Sequence, residues 1–350
     1  MVSVQPQSTL SRLLATQSQL GRLERQVGDA RQELASGRHA DVGLTLGSRA
    51  TDALSLRQRL EQIAATTETN NLAVTRLEAT QVGLTSISDT ASAFLEALVA
   101  ARGSVTTAGI LQTEAKDGLG RVIETLGAQV AGMSIFSGIA VDQRPLQQYF
   151  ASPAPGSKAA VDGAFSAHFG MAQSDPAVGT IPASLMQTYV DSVHDSLFAD
   201  PAWGAVWSTS SSQPMQSRIS ADLVIDSSVT ANEPGIRKIV QAFALVADSG
   251  VKGLNASAFQ VVVDKAIALV GEGMAEVSEL QGRVGAMQSR VSDASDQLGV
   301  GRIQATRALS ELEDVDAAEL AVRLDGILEQ MEAAYAVTAR LQRLSLLDEI

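Results

Sequence analysis

AAELAVRLDGILEQMEAAYAVTARLQRLSLLDEI, residues 317–350, sets Leu320, Leu324, Ile327, Met331, Ala334, Thr338 and Leu341 at alternating intervals of four and three. That rhythm keeps one seam of a helix turned toward a partner. With no Pro and one Gly, Ala317–Ile350 reads as an unbroken rod of roughly 45 Å at ~1.5 Å per residue, too long for a small globule to cover. A matching seam stands at the other end of the chain, where Leu13, Leu20, Val27 and Leu34 recur every seven residues with Leu10, Leu23 and Ala30 beside them. The spacing predicts that the two ends pair.

The remainder of the chain divides at its prolines. Of nine, one is Pro6 and the other eight lie between Pro145 and Pro234. Proline breaks helix interiors, so the flanks are free to form long helices and the block between them is not. Ser8 or Thr9 can cap a first helix running to Ser36, with Gly37 as its stop, and Gly43 to Gly47 read as a loop. From Ala53 through Leu60, Ile63, Asn70, Leu77, Leu84 and Ala91 to Leu98 the four-three rhythm lasts more than six heptads, far beyond an ordinary helix of ~11 residues. Thr67, Asn70, Gln81 and Ser88 interrupt it and are read as register-fixing polar positions. A third helix is predicted from Leu111 to Met133, turning back on the second. Within the proline block, Ala159–Phe169 and Ala183–Phe198 read as short amphipathic helices, and Arg218–Val229, with alternating Ile219, Ala221, Leu223 and Ile225, as a strand. Helices return at Gly235–Asp248 and Ala256–Gly273. Leu280, Val284, Met287, Val291, Ala294 and Leu298 then mirror the long N-terminal seam.

The expected fold is therefore mainly α: an elongated antiparallel helical bundle or coiled coil formed by both chain ends, carrying a small α+β insertion. Five segments follow: a terminal-rod helix over 1–42, a long helical hairpin over 43–145, the insertion over 146–235, returning helices over 236–312, and a second terminal-rod helix over 313–350.

Composition excludes several functions. A net charge of −13 removes a general electrostatic grip on nucleic acid. The absence of cysteine removes disulfides, thiol nucleophiles and thiolate metal sites together. No apolar run reaches the roughly 18 to 20 residues of a membrane span, and residues 1–11 lack the pattern of a cleaved secretory signal. His39, His168 and His194 are far apart. Asp191, His194 and Asp195 could share a helix face as a metal site would require, but a solvated polar face is the simpler reading. Glu313, Asp314 and Asp316 read as acids favoured ahead of the last helix rather than a cation site. No catalytic residue, metal or cofactor is expected, and the glycines at 271–273 and 299–301 lack the strand-turn-helix context of a phosphate loop.

Specific residues add to the pattern. Glu33-Leu34-Ala35-Ser36-Gly37-Arg38, Asn70, Phe136-Ser137-Gly138 with Pro145, Gly285-Ala286-Met287-Gln288-Ser289-Arg290, Leu312 with Asp314-Val315-Asp316, and Tyr335-Ala336-Val337-Thr338-Ala339-Arg340 leading to Leu344-Ser345-Leu346-Leu347 occur in order at the two ends. This set resembles the bacterial flagellin family over roughly 8–145 and 236–350. The chain departs from the family after Gly37, where His39-Ala40-Asp41-Val42 replaces an Asp-rich segment. The Tyr335–Leu347 ending is more similar to subunits that join hook to filament than to the filament subunit.

The resemblance implies a structural protein of the flagellum, not an enzyme. It would be exported unfolded by the flagellar type III apparatus without a cleaved signal peptide, and placed extracellularly at the hook-filament junction. The implied partners are other copies of itself, a hook-associated protein and flagellin neighbours, and a cytoplasmic export chaperone. The seam residues Leu13, Leu20, Val27, Leu34, Leu320, Leu324, Ile327, Met331, Leu341 and Leu344 would carry the polymer and chaperone contacts. The alternatives are a filament flagellin and, in a different class, an adhesin or enzymatic activity in 146–235.

Overall fold

The computed structural model describes the backbone from Thr9 to Leu347 and the side chains from residue 14 to residue 340. The fold is mainly helical, a bundle of long helices with a small insertion, and it divides into two compact units. One comprises residues up to 64 and from 299 onward; the other comprises 65–298.

In the first unit, α1 (Thr9–Ser36) and α10 (Ala317–Leu347) pack along each other. Gly37 ends α1 with φ +72°, a left-handed turn that costs glycine no Cβ clash, and its N–H bonds back to the Glu33 carbonyl at 2.8 Å. The predicted loop from Gly43 to Gly47 is instead helical. Asp41 Oδ1 accepts the Leu44 amide at 2.8 Å and starts a one-turn helix, α2 (Val42–Leu46). Leu46 then closes a small core with Ala53 and Leu309.

The helices α3 (Ala50–Ala101) and α9 (Ala256–Glu313) each contribute residues to both units. In α3 the expected seam is present: Ile63, Asn70, Leu77, Leu84, Ala91 and Leu98 are buried at every seventh position. A second buried row runs parallel to it through Ala73, Thr80, Ile87, Phe94 and Ala101. Two rows widen the stripe beyond a coiled-coil seam to the broad buried face of a globular core helix. In α9, Leu280, Val284, Val291 and Ala294 are buried as the spacing predicts, and the helix continues without a break from Ala256.

In the second unit, α4 (Ala108–Leu126) packs against α8 (Pro234–Asp248). Phe243 stacks on Phe94 with ring centroids 4.3 Å apart, and a Cβ on Gly118 would overlap the Phe243 ring. Where α8 crosses α9, Gly235 and Gly273 face each other so closely that a Cβ on either would lie within 3.0 Å of the opposite backbone. Asn70 donates through Nδ2 to the Ile219 carbonyl at 3.1 Å and to Ser295 Oγ at 3.2 Å, tying α3 to α9 and to the insertion.

Two local expectations are corrected here. The third helix stops at Leu126, because Gly127 and the positive-φ pair Ala131 and Gly132 turn the chain into a two-strand hairpin, β1 (Gln129–Val130) and β2 (Met133–Ser134). Met133 is thus on a strand. Arg218–Val229 is not one strand either: β3 (Gln216–Arg218) and β4 (Val224–Asp226) pair antiparallel, folded at the polar Ser220–Asp222 turn. The hydrophobic core that α3, α4, α8 and α9 share also takes in buried side chains of the 146–235 insertion.

That segment contains α5 (Gly156–Phe169) and a helical run of α6 (Ala183–Thr188), a wide turn over Tyr189–His194 and α7 (Asp195–Phe198). These elements enclose an aromatic cluster of Phe165, Tyr189, His194, Phe198, Trp203 and Trp207. At its edge the buried Asp248 accepts from Tyr149 Oη at 2.8 Å and from Lys158 Nζ at 2.9 Å. Burial, outweighing these bonds, holds the Asp248 carboxyl above the usual range. Burial works against the Lys158 ammonium, but its bonds to Asp162 and Asp248 raise it all the same.

Candidate assembly surface

The terminal pair is built on a narrow seam. Leu23 and Val27 of α1 meet Ile327 and Ala334 of α10, all buried, with Leu20, Leu324, Leu328 and Met331 half-covered around them. Of the ten predicted seam residues, the pair brings together Leu20, Val27, Leu324, Ile327 and Met331. Leu320 is also buried, one turn into α10. The side chains of Leu13, Leu341 and Leu344 lie outside the described residues.

Leu34 behaves differently and is 45 % exposed. A strict seven-residue row drifts by ~20° per heptad around a straight helix, and by Leu34 it has left the seam. The half-buried position in that last turn is Glu33, whose Oε1 accepts the Ala40 amide at 3.0 Å.

An elbow closes the base of the pair. The His39 amide donates to the Glu313 carbonyl at 3.0 Å, and the Val315 amide donates to the Gly37 carbonyl at 3.0 Å. These bonds set the Gly37-Arg38 segment against Glu313–Asp316. The Glu313 side chain is fully buried, with Arg57 Nη2 2.8 Å from its Oε1 and Arg38 Nη1 3.7 Å from its Oε2. Asp316 Oδ1 accepts the Ala318 amide at 2.8 Å and caps α10, as expected of an acid before that helix. Sequence reading missed the Glu313 pairing, since Arg57 is remote in the chain and nothing local marks it. A cavity of about 280 Å³ beside the elbow is lined by Glu33, His39, Asp314, Asp316, Glu319 and Arg323, among others.

The outer faces of the same two helices also expose large apolar side chains. Leu14 on α1 and Val322, Tyr335 and Val337 on α10 are 48–75 % exposed. Tyr335 donates its hydroxyl to Glu24 Oε1 at 3.1 Å, which turns its ring outward across α1.

Of the Asp191, His194, Asp195 set, the two carboxylates stand at the solvated surface as expected and His194 does not. Asp191 and Asp195 both grip Lys265, at 3.1 and 2.8 Å, while His194 points inward and is wholly buried. Among the described residues no group of three or more His, Asp or Glu could hold a metal ion, and no helix is long and apolar enough to cross a membrane.

Comparisons with known proteins agree with this layout. The model of the bacterial flagellin N-terminal helical region matches residues 8–141, and that of the bacterial flagellin C-terminal helical region matches residues 267–349. Among solved structures, a protein from Vibrio parahaemolyticus provisionally assigned as flagellar hook-associated is similar, with a TM-score of 0.52 and 13 % identity over 76 % of this chain and 97 % of that one. At that identity the likeness is one of fold. No curated protein matches the chain. The two family matches hold the elements that form the terminal pair and the long helices, and the chain belongs to the bacterial flagellin family, a structural component of the bacterial flagellum.

Proposed function

We propose that this protein joins hook to filament, and that the pairing of α1 with α10 is completed in the assembled flagellum. The observation that supports this reading is the second apolar face of the terminal helices: Leu14, Val322 and Val337 are exposed on the same rods whose inner seam is already filled. A helix apolar on two sides needs two partners, and the chain itself supplies only one. Neighbouring subunits, a hook-associated protein and flagellin are the partners of the outer face.

The thin seam also suits export. Among the described residues the buried apolar side chains of the pair are few, with Leu23, Val27, Ile327 and Ala334 at its centre, whereas the core of the 65–298 unit is extensive, so the pair opens the more easily of the two. An export chaperone that masks Ile327 and Met331 keeps α10 unpaired before passage through the type III apparatus. Packing at the growing tip then restores the seam, so that folding of the ends and assembly are one event.

Deleting the gene tests the reading. Cells should build hooks, export flagellin and shed it into the medium without attached filaments. Normal filament attachment in the deletion strain rules the junction role out, and loss of flagellin itself identifies the chain as the filament subunit.

A further inference from the structure

Arg76, on α3, is 7 % exposed and pairs with no carboxylate among the described residues. Its Nη1 lies 2.7 Å from Met215 Sδ and its Nη2 3.8 Å from Met133 Sδ, while Nε has no hydrogen-bond partner. A guanidinium carries five donors, and a thioether is a weak acceptor for them. The cation is therefore buried with its Nε–H unmet and only weak thioether acceptors on its two terminal nitrogens, an arrangement that normally costs stability. Both methionines are half-exposed residues, so a small oxidant can reach this part of the fold. Met215 is also fixed in place, because its amide donates to Ser228 Oγ and its carbonyl accepts from the Ser227 amide, each at 2.7 Å.

We infer that Met215, with Met133 beside it, is an oxidation site at which Arg76 receives the sulfoxide oxygen. A peroxide supplies the atom. The sulfur lone pair attacks one peroxide oxygen, the O–O bond breaks, the S–O bond forms, and the departing hydroxide takes the proton and leaves as water. Sulfur is oxidised by two electrons and the peroxide is reduced by two. The product oxygen carries a partial negative charge and is a strong acceptor, which the thioether was not. Methionine oxidation ordinarily places a polar group in an apolar setting and disrupts it. At this position it supplies the acceptor the buried cation lacks, and the modified protein keeps its fold.

Substitution reproduces the change without an oxidant, since the Gln side-chain oxygen stands where the sulfoxide oxygen would. In the full chain, followed by near-UV circular dichroism of Trp203 and Trp207, Met215→Gln should melt about 3 °C above Met215→Leu. In an Arg76→Met background that order should reverse. Met215→Gln melting at or below Met215→Leu in the presence of Arg76 overturns the inference. A second measurement does not depend on any variant folding. After limited peroxide treatment, wild-type molecules oxidised at Met215, identified by peptide mass mapping, should melt within a degree or so of untreated protein. A loss of several degrees in that species refutes the assignment.

Discussion

Replacing Ile327 with Ala removes three carbons from the centre of the terminal seam, at a side chain only 7 % exposed. At ~0.8 kcal/mol per buried methylene-sized group the lost transfer energy is about 2.4 kcal/mol. An added cavity penalty is small, because the seam is narrow and solvent can fill the gap. Where the loss appears depends on when the seam forms. If α1 and α10 pair only on assembly, the whole amount weakens addition of the subunit to the growing structure, by ~50-fold in affinity. If they are already paired in the free subunit, affinity stays the same and the loss appears in the monomer's own stability. Binding of fluorescently labelled subunits to isolated hook tips separates the two. Leu185→Ala, on an exposed side chain of the 65–298 unit, is the control. An Ile327→Ala affinity within threefold of wild type refutes assembly-coupled pairing.

Other outcomes follow from single contacts. Gly118→Ala should destabilise the 65–298 unit by about 1–2 kcal/mol, because Phe243 is stacked on Phe94 and cannot yield, whereas Gly120→Ala, with open space at its Cβ, should stabilise by ~0.5–1 kcal/mol; chemical denaturation reads both. Glu313→Gln should weaken the elbow by about 1–2 kcal/mol, discounted from a fully buried pair because Arg38 and Arg57 are half-exposed, and the loss should shrink in high salt in the same hook-tip assay. His194 is buried without a partner for either ring nitrogen, and burial, helped by Lys265, pushes its pKa down to about 3. A depressed folded-state value means stability is complete above the ordinary value near 6.5 and falls as pH drops below it, by about 2 kcal/mol at pH 5. His194→Phe should remove that part of the slope in urea titrations between pH 7 and pH 5, and an unchanged slope contradicts the burial argument.

What the sequence revealed was governed by local period. The four-three rhythm of Leu320 through Ala334, the Gly37 stop, and the row Ile63 to Leu98 all rest on spacing within one helix, and the structure contains them. The second row on α3 was not legible, because Ala73, Thr80 and Ala101 are small or polar and only tertiary packing, such as Phe243 on Phe94, buries that side. The same limit applies to the polar contacts. Asp191 and Asp195 are solvated as expected, but their shared partner Lys265, seventy residues on, had no local sign. Arg57 with Glu313, and Arg76 with Met215, are likewise encounters made by the fold between residues that carry no local signal. Short hairpins fared worst: β1 with β2 and β3 with β4 are two or three residues per strand, too short for alternation to register.

The location of the protein on an intact flagellum tests the central claim most directly. Immunogold labelling with antibodies raised against the 146–235 segment should give a single cluster of label where hook meets filament. Label distributed along the whole filament contradicts the junction role and makes this chain a filament subunit.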